Sequence, residues 1–177
     1  MIIRSVLFYL LIFLWTLCLG IISFPYLFVP KLYTRYLANF WISGILWFLK
    51  FICGVTYEIQ GAENIPSHAV IVASKHQSAF ETFLLFKLIK NSIFIHKKEL
   101  FFIPIFGLYL KKSNMISINR AEGSKTLRQM LKETKKRIEN GYSIIIFPEG
   151  TRKKPGDRPD YKTGIAGIYK ETGSEIL

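Results

Sequence analysis

The feature that most constrains this chain is a run without one charged side chain, SVLFYLLIFLWTLCLGIISFPYLFVP, from Ser5 to Pro30. Crossing a bilayer takes about 20 apolar residues, so the run is long enough to span one. An uncleaved signal sequence is the other reading, since Arg4 precedes the apolar core. The run is longer than the usual h-region, however, and no A-x-A cleavage site follows. Pro25 and Pro30 break or end the helix. Beyond Lys31 and Arg35 lies a second apolar stretch, Leu37 to Val55, with Trp41, Trp47 and Lys50, residue types that favour the membrane interface. No acidic residue appears before Glu58. Residues 1–55 are therefore expected to be a membrane anchor, either one spanning helix or a helical hairpin dipping into one leaflet. Lys31 and Arg35 outnumber Arg4, which puts the remainder on the cytoplasmic side (of the inner membrane, in a bacterium).

The balance of the 177 residues agrees with a membrane setting. Lys+Arg number 24 and Asp+Glu 12, giving a net charge of 24 − 12 = +12, while 50% of residues are hydrophobic. Disorder is excluded, because so many Phe, Ile and Leu residues make a buried core easy. Nucleic acid and anionic lipid both suit a strong positive field. The oiliness favours lipid, and no recognisable RNA or DNA motif is interleaved with the basic residues, so no nucleic-acid partner is expected. Cys18 and Cys53 each sit in an apolar run, with no CxxC and no Cys/His cluster, so neither a disulfide framework nor a metal site is expected.

Near Tyr57 the pattern changes to short strands alternating with helices. VTYEIQ (55–60), HAVIVAS (68–74), SIFIH (92–96), Met115–Ile118 and SIIIF (143–147) read as strands. Ala79–Ile89 has helical spacing. From Ser124 to Asn140, Leu127, Met130, Leu131, Thr134 and Ile138 line one side of a helix, and Lys125, Arg128, Lys132, Lys135 and Lys136 take much of the other. Gly141 closes that helix. The expected fold class is α/β, with a mostly parallel sheet flanked by helices over residues 56–177. ETGSEIL, at the end, reads as the start of a further strand.

Three segments carry chemistry. In SKHQSAFET (74–82), His76 and Glu81 are five residues apart. On a continuous helix five residues turn through about 140°, so the two meet only if the chain bends between them, as at a strand-to-helix junction. There a carboxylate can hold one imidazole nitrogen and leave the other to take a proton. The same residues also fit an exposed loop histidine and a first-turn carboxylate facing the helix dipole. In SINR (117–120), Arg120 offers a planar cation suited to phosphate, or else a solvated turn arginine. In FPEGTR (147–152), Pro148 and Gly150 force a turn after a buried strand. Glu149, Thr151 and Arg152 are thereby placed at the carboxyl end of the sheet, where open α/β folds put ligands. Lys153, Lys154 and Arg158 extend a basic loop that also suits an anionic surface.

In this order, His76-x-x-x-x-Glu81, Asn119-Arg120 and Phe147-Pro148-Glu149-Gly150-Thr151-Arg152 resemble the 1-acyl-glycerol-3-phosphate acyltransferase family. The third block matches in all six positions. The family usually has Asp at the position of Glu81, and Asn114 and Ser117 stand where it tends to have Gly and Phe. A fourth, proline-containing block would lie beyond Leu177.

The resemblance implies acyl transfer from a thioester, acyl-CoA or acyl-carrier protein, to the sn-2 hydroxyl of lysophosphatidic acid at a phospholipid membrane. His76 would be the general base and Glu81 its orienting carboxylate. Arg120 and Arg152 would hold the phosphate, and Glu149, Gly150 and Thr151 would shape the acceptor site, with Lys75 and Lys162 as further anion contacts. The basic helix would face lipid headgroups or an acidic carrier protein. No protein nucleophile, metal or bound cofactor is implied. Two alternatives stand beside this reading: glycerol-3-phosphate or another lysophospholipid as acceptor, and a non-catalytic membrane-bound protein that binds phospholipid.

Overall fold

Short runs of branched apolar residues bury best when a strand is covered on both faces, and such runs build the centre of this protein. The structure, a computed structural model, describes residues 2–119, 123–158 and 160–177. It divides into two compact units, Met1–Gln60 with Leu100–Ser113, and Gly61–Glu99 with Asn114–Leu177.

The second unit is the α/β part. Its strands are β1 (Ile71–Ala73), β2 (Ser92–Lys97), β3 (Ile116–Ile118) and β4 (Ser143–Ile146). They form one parallel sheet in the order β1-β4-β2-β3. β4 lies between β1 and β2, and all four of its residues are buried. That position explains its run of three isoleucines, Ile144–Ile146. The registers are Ala73↔Ile146 between β1 and β4, and Ser92↔Ser143 between β2 and β4. The chain's last residues join the outer side of β1, where the Leu177 amide donates to the Ile71 carbonyl and the Ile71 and Ala73 amides donate to Glu175 and Leu177. ETGSEIL therefore does lead into strand pairing.

Three helices complete the unit, namely α3 (Phe80–Leu88), α5 (Ser124–Glu139) and α6 (Gly164–Thr172). Met130 of α5 and Ile168 of α6 share a core with Ile71 and Ile146. On α5 the apolar side is as the spacing predicts at Met130, Leu131, Thr134 and Ile138, whereas Leu127, near the helix start, is exposed. The five cations of the opposite side are all exposed. α6 approaches α5 closely: a Cβ on Gly164 or Gly167 would come within 3.2 Å of Met130 or Leu131.

One sequence expectation needs correction. Residues 55–60 form no strand; all six are exposed and enter no ladder. Alternating Val55, Tyr57 and Ile59 present an apolar edge, but a strand needs a partner. The sequence pattern assigns no element to the segment after β2. A 3₁₀ turn (Lys98–Phe102) leads into α4 (Phe106–Lys112), and Leu100–Ser113 belong to the first unit. Within that unit Tyr109 Oη donates to the Gly20 carbonyl at 3.1 Å, and Lys112 Nζ reaches the Tyr26 and Leu27 carbonyls.

The rest of the first unit is α1 (Ile2–Ile22) and α2 (Lys31–Cys53), which pack together across a turn containing Pro25 and Pro30. Two helices thus follow where sequence left one span or a hairpin open. Trp15 Nε1 donates to the Trp41 carbonyl, and Trp41 Nε1 to Thr16 Oγ1, both at 3.0 Å. Gly44 has no room for a side chain, since a Cβ there would lie 2.5 Å from Trp15. Ile2–Ile22 and Tyr33–Cys53 are each 21 residues long, apolar enough to cross a membrane by length and composition. α1 buries none of its residues, and Val6, Leu10 and Phe13 are all exposed, a surface that water penalises and lipid does not. Salt screens charge but not apolar burial, so the full chain should stay with membranes in about 1 M salt, where the Debye length is ~3 Å, and come off in detergent. Sedimentation of washed membranes checks this. Release by salt alone would show that α1 and α2 do not anchor the chain.

Candidate active site

The carboxyl ends of β1 and β4 are neighbours, and the site grows from that pairing. Ala73 and Ile146 are in register, and three residues further on in each strand's exit stand His76 and Glu149. The first connection bends rather than continuing as helix, with residues 74–79 lying between β1 and α3. This is the condition under which residues five apart can meet. His76 Nδ1 and Glu81 Oε1 are 2.8 Å apart.

Glu81 is held by more than the histidine. Its Oε1 also accepts the amides of Gln77 and Ser78, each at 2.9 Å, and its Oε2 accepts the Ser78 hydroxyl at 2.7 Å. The Ser78 hydroxyl in turn accepts the Phe80 amide at 3.0 Å. The two side chains thus each satisfy a free main-chain amide around the bend, ahead of the α3 N-cap residue Ala79 or just past it. So the carboxylate that meets His76 also ties down the bend that leads into α3. Burial pushes the Glu81 carboxyl up, but the bonds from the Ser78 hydroxyl and amide and from His76 outweigh it and hold the group below the usual range. An ionised carboxylate only accepts, so Nδ1 carries the proton and Nε2 is the basic nitrogen. Nε2 has no hydrogen-bond partner among the described residues.

The FPEGTR segment wraps the other side of His76. The Gly150 amide donates to the Phe147 carbonyl at 2.9 Å, closing a turn, and Gly150 has φ +67°, a conformation glycine adopts without strain. Phe147 stacks on the imidazole with ring centroids 4.1 Å apart and planes 16° from parallel. Glu149 is only 4% exposed, and its Oε2 accepts the His76 amide at 3.0 Å. The Lys153 amide donates to the His76 carbonyl at 2.8 Å. His76 is thus gripped at its ring face, at Nδ1 and at both main-chain polar groups.

The remaining expected contacts fall in different places. Thr151 and Arg152 are exposed beside this turn, and Lys75 is exposed next to His76. Lys162 pairs with Asp160 at 2.5 Å, and its amide donates to the Pro148 carbonyl. Arg120 lies outside the described residues. The sheet order sets β3 two strands from β4, about 10 Å at the usual spacing. Sequence reasoning named neither Ser78 nor Phe147 for a role. The three-residue spacing of Ser78 and Glu81 is a local signal for their mutual contact; a ring stacked on the histidine depends on strand register and leaves no local signal.

The linkage at Glu81 has a definite sign. Its folded pKa is depressed, so its contribution to stability is present above the unfolded pKa and is lost as pH falls through the folded value. Ser78→Ala removes one donor to Glu81 and the acceptor of the Phe80 amide, hydrogen bonds worth about 0.5–1.5 kcal/mol each. The Glu81 carboxyl should then titrate at higher pH, seen by carboxyl-carbon NMR, and acid unfolding should begin at higher pH. An unchanged titration would show that the hydroxyl does not hold the carboxylate.

Comparison with known proteins places this chain in a family. Residues 56–177 match the family model described as Acyltransferase. The chain is similar to the 1-acyl-sn-glycerol-3-phosphate acyltransferase of Pseudomonas aeruginosa, with 33% identity over 99% of this chain and 69% of that protein. It is also similar to a chloroplast 1-acyl-sn-glycerol-3-phosphate acyltransferase of Arabidopsis thaliana, with 30% identity over 90% of this chain and 45% of the relative. Among solved structures it resembles the 1-acyl-sn-glycerophosphate acyltransferase of Thermotoga maritima, at TM-score 0.77 and 24% identity, covering 99% of this chain and 71% of that one. That likeness shows a shared fold. A family match over the whole α/β region and a 33% identical relative spanning nearly the full length make this chain a member of the acyltransferase family.

Proposed function

We propose that this protein transfers an acyl group from acyl-CoA or acyl-carrier protein to the sn-2 hydroxyl of 1-acyl-glycerol-3-phosphate, producing phosphatidic acid. The observation that carries the reading is the 2.8 Å bond between His76 Nδ1 and Glu81, beside a complete FPEGTR turn. The names of the relatives supply the acceptor.

In this reaction Nε2 of His76 takes the proton of the acceptor hydroxyl as its oxygen attacks the thioester carbonyl. Glu81 keeps the proton on Nδ1 and stabilises the imidazolium that forms. The tetrahedral intermediate collapses with cleavage of the C–S bond, and the imidazolium returns the proton to the departing thiolate. Acyl transfer of this kind needs no acyl-enzyme, metal or resident cofactor. Arg152, exposed at the turn, is suited to the acceptor phosphate, with Thr151 beside it. Arg120 is assigned the same task by the family pattern alone. The two apolar helices are suited to hold the enzyme at the membrane that contains its substrate, and when they enter one leaflet as a hairpin, Lys31, Arg35 and the α/β unit share one face, for which the excess over Arg4 supports the cytoplasmic side.

The decisive assay incubates membranes carrying the full chain with lysophosphatidic acid and each thioester donor, and measures phosphatidic acid. Lysophosphatidic acid should be preferred over glycerol-3-phosphate and other lysophospholipids. His76→Ala should lower turnover by about 10²–10⁴ while the protein stays folded. Substantial turnover by that folded variant would sink the base assignment. Arg152→Ala should raise KM for lysophosphatidic acid about tenfold to a hundredfold, as expected for a charge-assisted bond worth roughly 1.5–3 kcal/mol. An acceptor without phosphate should feel the change much less, and an unchanged KM would contradict the phosphate contact.

A further inference from the structure

The family pattern groups Glu149 with the acceptor contacts, but its surroundings point elsewhere. The side chain is 4% exposed, so almost none of it is open to a ligand arriving from solvent. Its Oε2 is engaged by the His76 amide at 3.0 Å across 73 residues of sequence. The contact is dictated by the sheet: Ala73 and Ile146 are paired in register, and each chain runs three residues further to reach His76 or Glu149. The Lys153 amide, four residues past Glu149, binds the His76 carbonyl at 2.8 Å from the same turn. Residues 74–79 have no regular secondary structure to define where His76 sits. Without Glu149, half of the main-chain grip on that residue is gone.

We infer that Glu149 is a positioning residue: it holds the main chain of His76 so that the imidazole meets Glu81 and Phe147 at once, and it does not contact the acceptor. The inference rests on the acyl-transfer reading for its kinetic consequences. A carboxylate accepting an amide fixes the direction of the peptide plane, and displacement of a catalytic group by 1 Å costs about a hundredfold in rate. The required property is an acceptor atom at the right place rather than a negative charge. Glutamine supplies that atom through its carbonyl oxygen at nearly the same length. A substrate-binding or charge role and a positioning role therefore separate on one substitution.

The test compares the full chain with Glu149→Gln and Glu149→Ala in detergent, measuring kcat and KM for lysophosphatidic acid and hydrogen–deuterium exchange of the segment containing His76. Glu149→Ala should lower kcat by tenfold or more with KM within twofold of the parent, and exchange around His76 should quicken at least tenfold. Glu149→Gln should keep kcat within a few-fold and keep the exchange slow. A raised KM with unchanged kcat in either variant would overturn the proposal in favour of a substrate contact. If Glu149→Ala does not fold, Glu149→Gln decides: a folded Gln variant with kcat reduced tenfold or more overturns it. Should the parent show no acyl transfer, the proposed function fails and exchange alone judges the inference, with unchanged exchange in a folded Ala variant overturning it.

Discussion

The site depends on one pairing, β4 against β1. Parallel strands place their carboxyl ends side by side, so whatever follows the two strands is brought together. Here the segments that follow are the histidine-bearing bend and the FPEGTR turn. The register Ala73↔Ile146 brings His76 level with Glu149. A shift of one residue would carry the Glu149 carboxylate roughly 3.3 Å along the strand, out of hydrogen-bond reach of the His76 amide. The interior of the sheet suppresses such a slip, because β4 is buried throughout and packs Ile144 against Ile93 and Ile116. Hydrophobic packing thus sets the precision of a polar site.

Glu81 shows how a departure from the family pattern is absorbed. One additional methylene in the carboxylate arm shifts its oxygens, and an unsupported glutamate has extra rotamers to lose. Four donors meet the two oxygens: one from His76, one from Gln77 and two from Ser78. Three of these come from the two residues just ahead of the α3 N-cap, Ala79, so the longer side chain folds back over the bend and is fixed there. The dyad carboxylate and the tie that holds this bend are one group, and local order and histidine orientation rise or fall together.

Much of this was legible in the sequence. SIIIF read as a buried strand because a strand covered on both faces leaves no polar alternation. The basic helix over residues 124–140 read correctly from its 3.6-residue period except at Leu127. The need for a bend between His76 and Glu81 followed from helix geometry. What could not be read was decided by distant partners. Val55–Gln60 alternates like a strand, yet no neighbouring strand pairs with it. Residues 100–113 follow β2 in sequence but pack with the N-terminal helices, where Tyr109 reaches Gly20 and Lys112 reaches the carbonyls of the turn after α1. Likewise the burial of Glu149 is a property of strand order, which no local pattern encodes.

The 73-residue separation of His76 and Glu149 has a consequence for how activity is acquired. Both members of the His76–Glu81 pair lie close in sequence and are synthesised before β4. The clamp on the main chain arrives only when β4 has left the ribosome and inserted between β1 and β2. Closing so long a loop is slow relative to local helix formation. A nascent or partly unfolded chain therefore carries the reactive pair without the geometry that makes it useful, and competence appears as an all-or-none property of the finished sheet.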